Sequence, residues 1–198
     1  DINHTSMIAV NIGRGIGAGL VSEGKLFHGE NGIAGEIGHM MIERNGKICS
    51  CGNEGCLQTI ASGPAIAEMA TEKMKGGQES ILSDWIKQST DEITAEMVHK
   101  AAVMNDELAI SIFDEVGVCL GIAFTNIIHT FNPAKIIIGG GVARAGEFLL
   151  HPIRRTIAER AISEKAKKTP VISSELDAYG SSYGAIALVL SELFQPSV

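Results

Sequence analysis

Hydrophobic residues recur along this chain with two periodicities, that of β-strands in some segments and that of α-helices in others. Apolar runs at residues 7–12 (MIAVNI) and 133–138 (PAKIII) each precede a run of glycines and predict buried strands. The stretch LVSEGKLFHG alternates around Glu23-Gly24 as a β-hairpin does, and residues 171–176 (VISSEL) predict a short strand. These strands come before, between and after helical patterns, an order that predicts an α/β fold.

Helical patterns dominate after residue 60. Ser62 is a candidate N-cap for a helix that begins at Pro64 and ends at Gly76-Gly77, since proline is favoured in the first turn. Further helices are expected at residues 80–89, 94–105, 147–165 and 181–194.

Residues 106–132 form the longest apolar segment and predict the central buried helix. Gly117 and Gly121 lie on one face of that helix and would allow another backbone to approach closely. The segment includes Asn126 and His129, so a buried helix is favoured over a membrane span. With no secretory signal pattern at the N-terminus, we expect a cytoplasmic protein without a membrane partner.

The composition is that of a globular protein. The chain has 198 residues, of which 45% are hydrophobic and 20% charged, and its net charge is −7. An acidic surface is poorly suited to binding a phosphodiester backbone, although the chain could be the acidic part of a larger DNA-binding protein. A strand is predicted soon after Asp1 without a capping element, which indicates a fragment of a longer polypeptide.

The loop between residues 30 and 56 contains three of the four cysteines. The spacing is His39-x9-Cys49-x-Cys51-x4-Cys56, which matches the Cys3His ligand set of structural zinc sites. A redox pair, a disulfide or a set of small buried cysteines are the alternatives. In the cytoplasm, clustered thiols bind metal more often than they form disulfides, and polar turn residues surround these cysteines.

Four protein ligands would leave no open coordination position, so the metal is expected to organise the loop rather than activate water. Gly46, Gly52 and Gly55 lie where the loop must turn tightly. Cys119 lies among apolar residues of the predicted central helix and is interpreted as a packed hydrophobic residue.

Glu36 precedes His39 by three residues in the segment AGEIGH. A metal-bound imidazole keeps its other nitrogen free for a hydrogen bond, so a carboxylate beside it would suit a polyhydroxylated ligand such as a sugar. The alternative is that Glu36 is a solvated loop residue, and the spacing leaves both open.

Taken together, these motifs resemble the ROK family (repressors, open reading frames and sugar kinases). The segments that carry the resemblance are GRGIGAGLVSEGKLFHGENGIAGEIGHM, CSCGNEGC, IIIGGG and YGSSYGAIAL, and it covers essentially the whole chain. It implies the C-terminal lobe of the actin-like ATPase or sugar kinase fold, which is ribonuclease H-like, with an inserted zinc loop at residues 35–58.

The resemblance also implies functional residues. Zinc would be bound by His39, Cys49, Cys51 and Cys56, and sugar would be contacted by Glu36 and His39. Family members usually pair through this lobe, so a homodimer or a tetramer is expected.

Several family motifs have no counterpart in residues 1–198. There is no phosphate-binding Asp-x-Gly strand, no catalytic aspartate from a Glu-Asn-Asp segment and no helix-turn-helix. We therefore expect the chain to be one lobe that is catalytically incomplete, with DNA contacted only through a domain outside it.

Two departures from the kinase pattern bear on the choice of branch. Kinase members have a Gly-Thr-Gly-Ile-Gly turn that meets the nucleotide phosphates, whereas this chain has Arg14 between Gly13 and Gly15, followed by Ile16 and Gly17. The family also usually has a sugar-contacting glutamate two residues after the last cysteine.

Gln58 lies two residues after the last cysteine, where the family usually has the sugar-contacting glutamate. An amide can still hydrogen-bond a sugar, so the residue remains a predicted sugar contact with altered preference.

The glycines of the second turn, Gly139, Gly140 and Gly141, are retained. Kinase members place this turn beside adenosine, but a strand-turn-helix that needs small residues for packing explains it equally well. If the chain belongs to a kinase, these glycines and Gly13, Gly15 and Gly17 would bind ATP with Mg²⁺.

We favour the sugar-sensing portion of a ROK transcriptional repressor, in which a bound sugar effector shifts the arrangement of the lobes and of the DNA-binding domains in a dimer. The alternative is an ATP-dependent hexose kinase, and a purely structural zinc protein is the third possibility. The last would explain the cysteines but neither Glu36 nor the two glycine turns.

Overall fold

The computed structural model describes residues 6–88, 92–176 and 179–194, so Asp1 and the end of the predicted helix at 80–89 lie outside the described residues. The strands are β1 (Met7–Ile12), β2 (Ile16–Ser22), β3 (Lys25–Phe27), β4 (Lys135–Gly139) and β5 (Val171–Ser173). The helices are α1 (Gln58–Ala61), α2 (Gly63–Lys75), α3 (Leu82–Gln88), α4 (Ala95–Val103), α5 (Glu107–Phe131), α6 (Glu147–Arg160), α7 (Glu164–Lys167) and α8 (Gly180–Leu193). The predicted strands and helices occur in the predicted order, and the short helices α1 and α7 are additional.

The strands form one mixed sheet in the order β3-β2-β1-β4-β5. The first three strands pair antiparallel, while β4 pairs parallel with β1 and β5 pairs parallel with β4. Glu23 and Gly24 connect β2 to β3 with φ of +52° and +76°, the left-handed conformation that a two-residue hairpin turn requires. The predicted hairpin is therefore confirmed.

Strand β1 is buried on one face only. Ile8, Val10 and Ile12 are buried in the core, whereas the alternate residues Ala9 and Asn11 are exposed. The prediction of a buried strand is thus correct only for the side chains on one face. The core of the described residues lies against that face of the sheet.

Helix α5 is the central helix of the core, as predicted. It is long and apolar enough to cross a membrane by length and composition, but 61% of its most apolar window is buried inside the structure. A Cβ atom at Gly117 would lie 2.3 Å from Cγ of Pro152, and one at Gly121 would lie 2.5 Å from Cβ of Thr156. The two glycines therefore let α6 approach closely, as their shared face predicted.

Most helix boundaries differ from the predictions by one or two residues, and two differences concern how a helix begins or ends. The hydroxyl of Ser62 caps α2 as expected, but the helix begins at Gly63, one residue before Pro64. The helix predicted at residues 147–165 is two helices, because α6 ends at Arg160 and Ser163 caps the short α7.

Candidate functional site

Backbone hydrogen bonds and two isolated bridges, rather than regular strands, organise the cysteine loop, residues 35–58. An antiparallel bridge pairs Met41 with Cys56. Gly55 has φ of +66°, and a Cβ atom there would lie 1.7 Å from the carbonyl oxygen of Glu43. Only glycine fits at this crossing, so the tight turn predicted for the loop is found there.

Side chains from the two ends of this loop converge on one point. His39, Cys49, Cys51 and Cys56 each offer one donor atom, and these atoms all lie within 4.8 Å of one another. The sulfur of Cys49 lies 3.6 Å from Nδ1 of His39, and the sulfurs of Cys51 and Cys56 are 3.7 Å apart. The cysteines are free thiols. A disulfide needs a sulfur separation of about 2.0 Å, so the loop is not held by a disulfide.

These separations fit a tetrahedral zinc ion. Zn–S bonds of about 2.3 Å and Zn–N bonds of about 2.0–2.1 Å give tetrahedral edges of roughly 3.8 Å between sulfurs and roughly 3.6 Å between sulfur and nitrogen. The 3.7 Å and 3.6 Å separations agree with both edges. The donor set is therefore of the closed Cys3His type that holds structural zinc.

The crowded thiols also favour a cation electrostatically. A hydrogen bond from the Cys51 backbone, together with neighbouring side chains, lowers the pKa of Cys49 to about 6. Burial raises the pKa of Cys56 to about 12, and the nearby thiols of Cys51 and Cys49 act in the same direction. Deprotonation of Cys49 is thus favoured, whereas deprotonation of Cys56 is disfavoured. A divalent cation between the sulfurs would stabilise both thiolates.

His39 ends a short 3₁₀ turn, Ile37–His39, that is packed against β2, and Glu36 is the residue just before the turn. A Cβ atom at Gly38 would lie 2.2 Å from the carbonyl oxygen of Ile16, so this turn lies directly on the strand. The turn therefore places both side chains at a fixed position beside the sheet.

The imidazole of His39 has two different neighbours. Nδ1 faces the sulfur of Cys49 at 3.6 Å, whereas Nε2 lies 3.8 Å from a carboxylate oxygen of Glu36. The side chain of His39 is 33% exposed and that of Glu36 is 65% exposed. The structure thus brings the two predicted sugar contacts together at the rim of the metal cluster.

Gln58, the third predicted sugar contact, begins α1 and faces the cysteine loop. Its Nε2 donates to the sulfur of Cys49 at 3.2 Å and to the hydroxyl of Ser50 at 3.5 Å. Its Oε1 lies 3.3 Å from the position of a Cβ atom at Gly15. Gln58 therefore lies between the metal cluster and the first glycine turn, residues 13–15. The spacing of residues along the sequence did not predict this placement.

The first glycine turn is shorter than its sequence motif. The N–H of Gly13 donates to the carbonyl of Gly15 at 2.9 Å, and the carbonyl of Gly13 accepts from the N–H of Gly63 at 2.8 Å. Gly17 lies within β2, paired with Asn11. The expectation that Gly17 belongs to the turn is therefore wrong, because the chain has already entered the strand at Ile16.

The second glycine turn, residues 139–141, begins at the last residue of β4. Gly140 has φ of +89°, and a Cβ atom there would lie 2.4 Å from the carbonyl oxygen of Ile12. Gly13 and Gly141 line a cavity of about 730 Å³, called the α4 cavity below. Gly139 and Gly140 line a neighbouring cavity at the carboxyl ends of the parallel strands.

Side chains of α4 complete the α4 cavity, and the sequence analysis did not single them out. Glu96, His99 and Lys100 line it from positions i, i+3 and i+4 of one helical face. The ring of His99 meets Phe113 edge-on with centroids 6.3 Å apart, and burial lowers the pKa of His99. The spacing of the three residues puts them on one helical face, but nothing local in the sequence indicates that this face lies beside Gly13.

Comparison with known proteins gives relatives of two kinds. The glucokinase of Halalkalibacterium halodurans is 42% identical over 163 residues, which cover 81% of this chain and 49% of the relative. The DNA-binding transcriptional dual regulator NagC of Escherichia coli is 40% identical over 182 residues, which cover 92% of this chain and 43% of the relative. The chain thus spans about half the length of these relatives.

The same fold occurs in a crystal structure of a ROK family glucokinase from Streptomyces griseus in complex with glucose and AMPPNP. Its TM-score is 0.82 at 29% sequence identity, covering 93% of this chain and 60% of that chain. The mixed sheet with its covering helices is thus the actin-like ATPase fold of ROK sugar kinases, as predicted. The ROK family model matches residues 1–192. This chain belongs to the ROK family.

Proposed function

We propose that this chain is the sugar-binding portion of a ROK transcriptional regulator, with zinc as a structural ion. The observation that carries the proposal is Arg14 in the middle of the first glycine turn. Its side chain is exposed and lines the α4 cavity beside Gly13. A long cation therefore occupies the position at which the kinase pattern has a small hydroxyl.

The sugar site is supported by the geometry around His39. Zinc at Nδ1 would fix the ring and leave Nε2 to hydrogen-bond a ligand hydroxyl. The exposed carboxylate of Glu36 is 3.8 Å from that nitrogen and can accept from a second hydroxyl. A donor and a charged acceptor on one rigid turn suit vicinal hydroxyls, which supports a sugar as the effector.

A structural role for zinc is supported by how the loop joins the rest of the fold. Lys47, near the tip of the loop, lies 3.0 Å from a carboxylate oxygen of Glu68 and 2.9 Å from one of Glu72, both on α2. These exposed ion pairs contribute little energy by themselves. Four protein donors hold the loop far more firmly, so zinc would set its shape and position Glu36.

The regulatory step would be a shift in the relative position of the two lobes. A sugar that binds one arrangement more tightly increases its population, and in a dimer this changes the spacing of two DNA-binding domains. In this proposal, those domains belong to a part of the protein outside residues 1–198. We propose a cytoplasmic homodimer or tetramer, and exposed apolar side chains on α8, such as Tyr183 and Val189, offer surface for association.

An ATP-dependent hexose kinase is the second candidate, and the α4 cavity is the observation in its favour. The cavity is bounded by both glycine turns and contains Lys100, a cation that could contact a phosphate. In that case the first and second glycine turns would contact ATP with Mg²⁺, and the catalytic base would come from outside this chain.

Direct measurement on the intact protein separates the two candidates. We expect saturable binding of one or more sugars in a calorimetric screen of hexoses and their derivatives, without ATP-dependent phosphorylation of any of them. Robust phosphorylation would establish the kinase instead. The polypeptide upstream of this chain gives an independent test: a helix-turn-helix supports the regulator, and a direct start at an Asp-x-Gly strand supports the kinase.

A further inference from the structure

Gln58 makes a contact that its expected role as a sugar ligand does not explain. Its Nε2 lies 3.2 Å from the sulfur of Cys49 and 3.5 Å from the hydroxyl of Ser50. The side chain leaves the first residue of α1 and reaches back across the loop to one of the four clustered donors. The side-chain amide of Gln58 thus already makes a hydrogen bond to the cysteine cluster without a bound sugar.

The orientation of the amide follows from chemistry. A metal-bound thiolate has no proton and can only accept, so the NH₂ group of Gln58 must face Cys49. The amide oxygen then faces the first glycine turn, 3.3 Å from the Cβ position of Gly15. One side chain therefore spans the space between the metal cluster and the turn.

The first glycine turn lies between the start of α2 and the side chain of Gln58. Gly13 is held from the other side by the N–H of Gly63, at the start of α2. The side-chain oxygen of Gln58 lies on the remaining side, 3.3 Å from the position that a Cβ atom at Gly15 would take. The amide therefore fills the space beside Gly15 while it donates to Cys49.

We propose that Gln58 is a positioning residue that holds the zinc-bound thiolate of Cys49 by a hydrogen bond and packs beside the first glycine turn. This inference rests on the zinc site of the proposed function. A donor to a coordinated sulfur fixes its direction towards the metal, and outer-shell partners of this kind strengthen metal binding. A glutamate at this position would set a carboxylate against the thiolate and would have to turn away.

The test uses the intact zinc-loaded protein with Gln58→Leu, which keeps the size but removes both polar atoms, and Gln58→Glu, which removes the donor. Gln78→Leu, at an exposed position after α2, is the matched control. Zinc transfer to a chromogenic chelator is followed in each variant. We expect zinc affinity to fall roughly 10- to 100-fold in both Gln58 variants, the usual cost of outer-shell changes.

Two further readouts do not depend on sugar or activity. In the Co²⁺-substituted protein, the sulfur-to-cobalt charge-transfer band should shift in Gln58→Leu and Gln58→Glu but not in Gln78→Leu. Amide hydrogen exchange in residues 13–18 should also increase in Gln58→Leu, because the turn has lost one of its supports. Circular dichroism and thermal unfolding establish that each variant is folded, and Gln58→Asn replaces any variant that is not.

The inference is overturned if both Gln58 variants keep the zinc affinity and cobalt spectrum of the wild type, or if the wild type binds no zinc. Failure of the sugar proposal gives a different result. A wild type that binds zinc but no sugar removes the sugar site, while the chelator and cobalt measurements still decide the role of Gln58.

Discussion

The carboxylate of Glu36 lies 3.8 Å from Nε2 of His39, on the edge of the imidazole opposite the cysteines. A ring held at Nδ1 by a metal has a fixed orientation, so Nε2 must then point towards the Glu36 side. His39 therefore belongs both to the metal cluster and to the proposed sugar site. Substitutions of other residues can change one of the two without the other.

Cys51→Ser should abolish zinc binding. The residue is exposed, so the smaller oxygen costs little packing, but the tetrahedral set loses a thiolate. We expect zinc affinity to fall by more than roughly 100-fold, beyond the cost of an outer-shell change, with a lower unfolding temperature. Metal content by mass spectrometry and thermal unfolding measure both effects.

The matched control is Cys119→Ala, which removes a half-buried thiol of α5 outside the cluster and should leave zinc content near one per chain. A Cys51→Ser protein that contains no zinc yet unfolds at the wild-type temperature would contradict a structural role for the ion.

Glu36→Gln should weaken sugar binding without loss of zinc. Hydrogen bonds to charged groups contribute about 1.5–3 kcal/mol, so affinity should fall by roughly 10- to 150-fold. Calorimetry with the sugar found for the wild type gives the affinity, and metal analysis gives the zinc content. Glu79→Gln, an exposed carboxylate in another loop, serves as the control. Unchanged affinity in Glu36→Gln would remove this residue from the site.

Arg14→Thr should restore the kinase form of the first glycine turn. If Arg14 disfavours nucleotide, the variant should bind a non-hydrolysable ATP analogue more tightly than the wild type, with sugar affinity little changed. Arg160→Thr, exposed at the end of α6, is the control. Equally tight nucleotide binding by the wild type would contradict the proposed role of Arg14 and favour the kinase.

Gly117→Ala should destabilise the core. The new Cβ atom would lie 2.3 Å from Pro152, so α5 and α6 would have to move apart. Overpacking of this kind costs about 1–3 kcal/mol of the free energy of unfolding, measured by chemical denaturation. Gly184→Ala on α8, where a Cβ atom meets nothing within 4 Å, should be neutral or stabilising. Equal stability of the two variants would refute the close approach of α5 and α6.

Local features were predictable because their causes are local. The hairpin at Glu23-Gly24 requires two residues of positive φ, and the Ser62 cap requires a hydroxyl before a proline-containing first turn. The Cys3His set was likewise readable from residue types and spacing. The membership of Gly17 in β2 was missed because the glycine pattern continues after the turn has ended.

By itself, the sequence determined the order of strands and helices, the central helix with its small-residue face and the four candidate zinc ligands. These depend on periodicity, capping and residue chemistry, which act over a few residues. Only the tertiary structure decided which face of β1 is buried, which helix lines the α4 cavity and that Gln58 donates to Cys49. Those relationships join segments brought together by packing of the sheet and helices, and no local pattern encodes such distances.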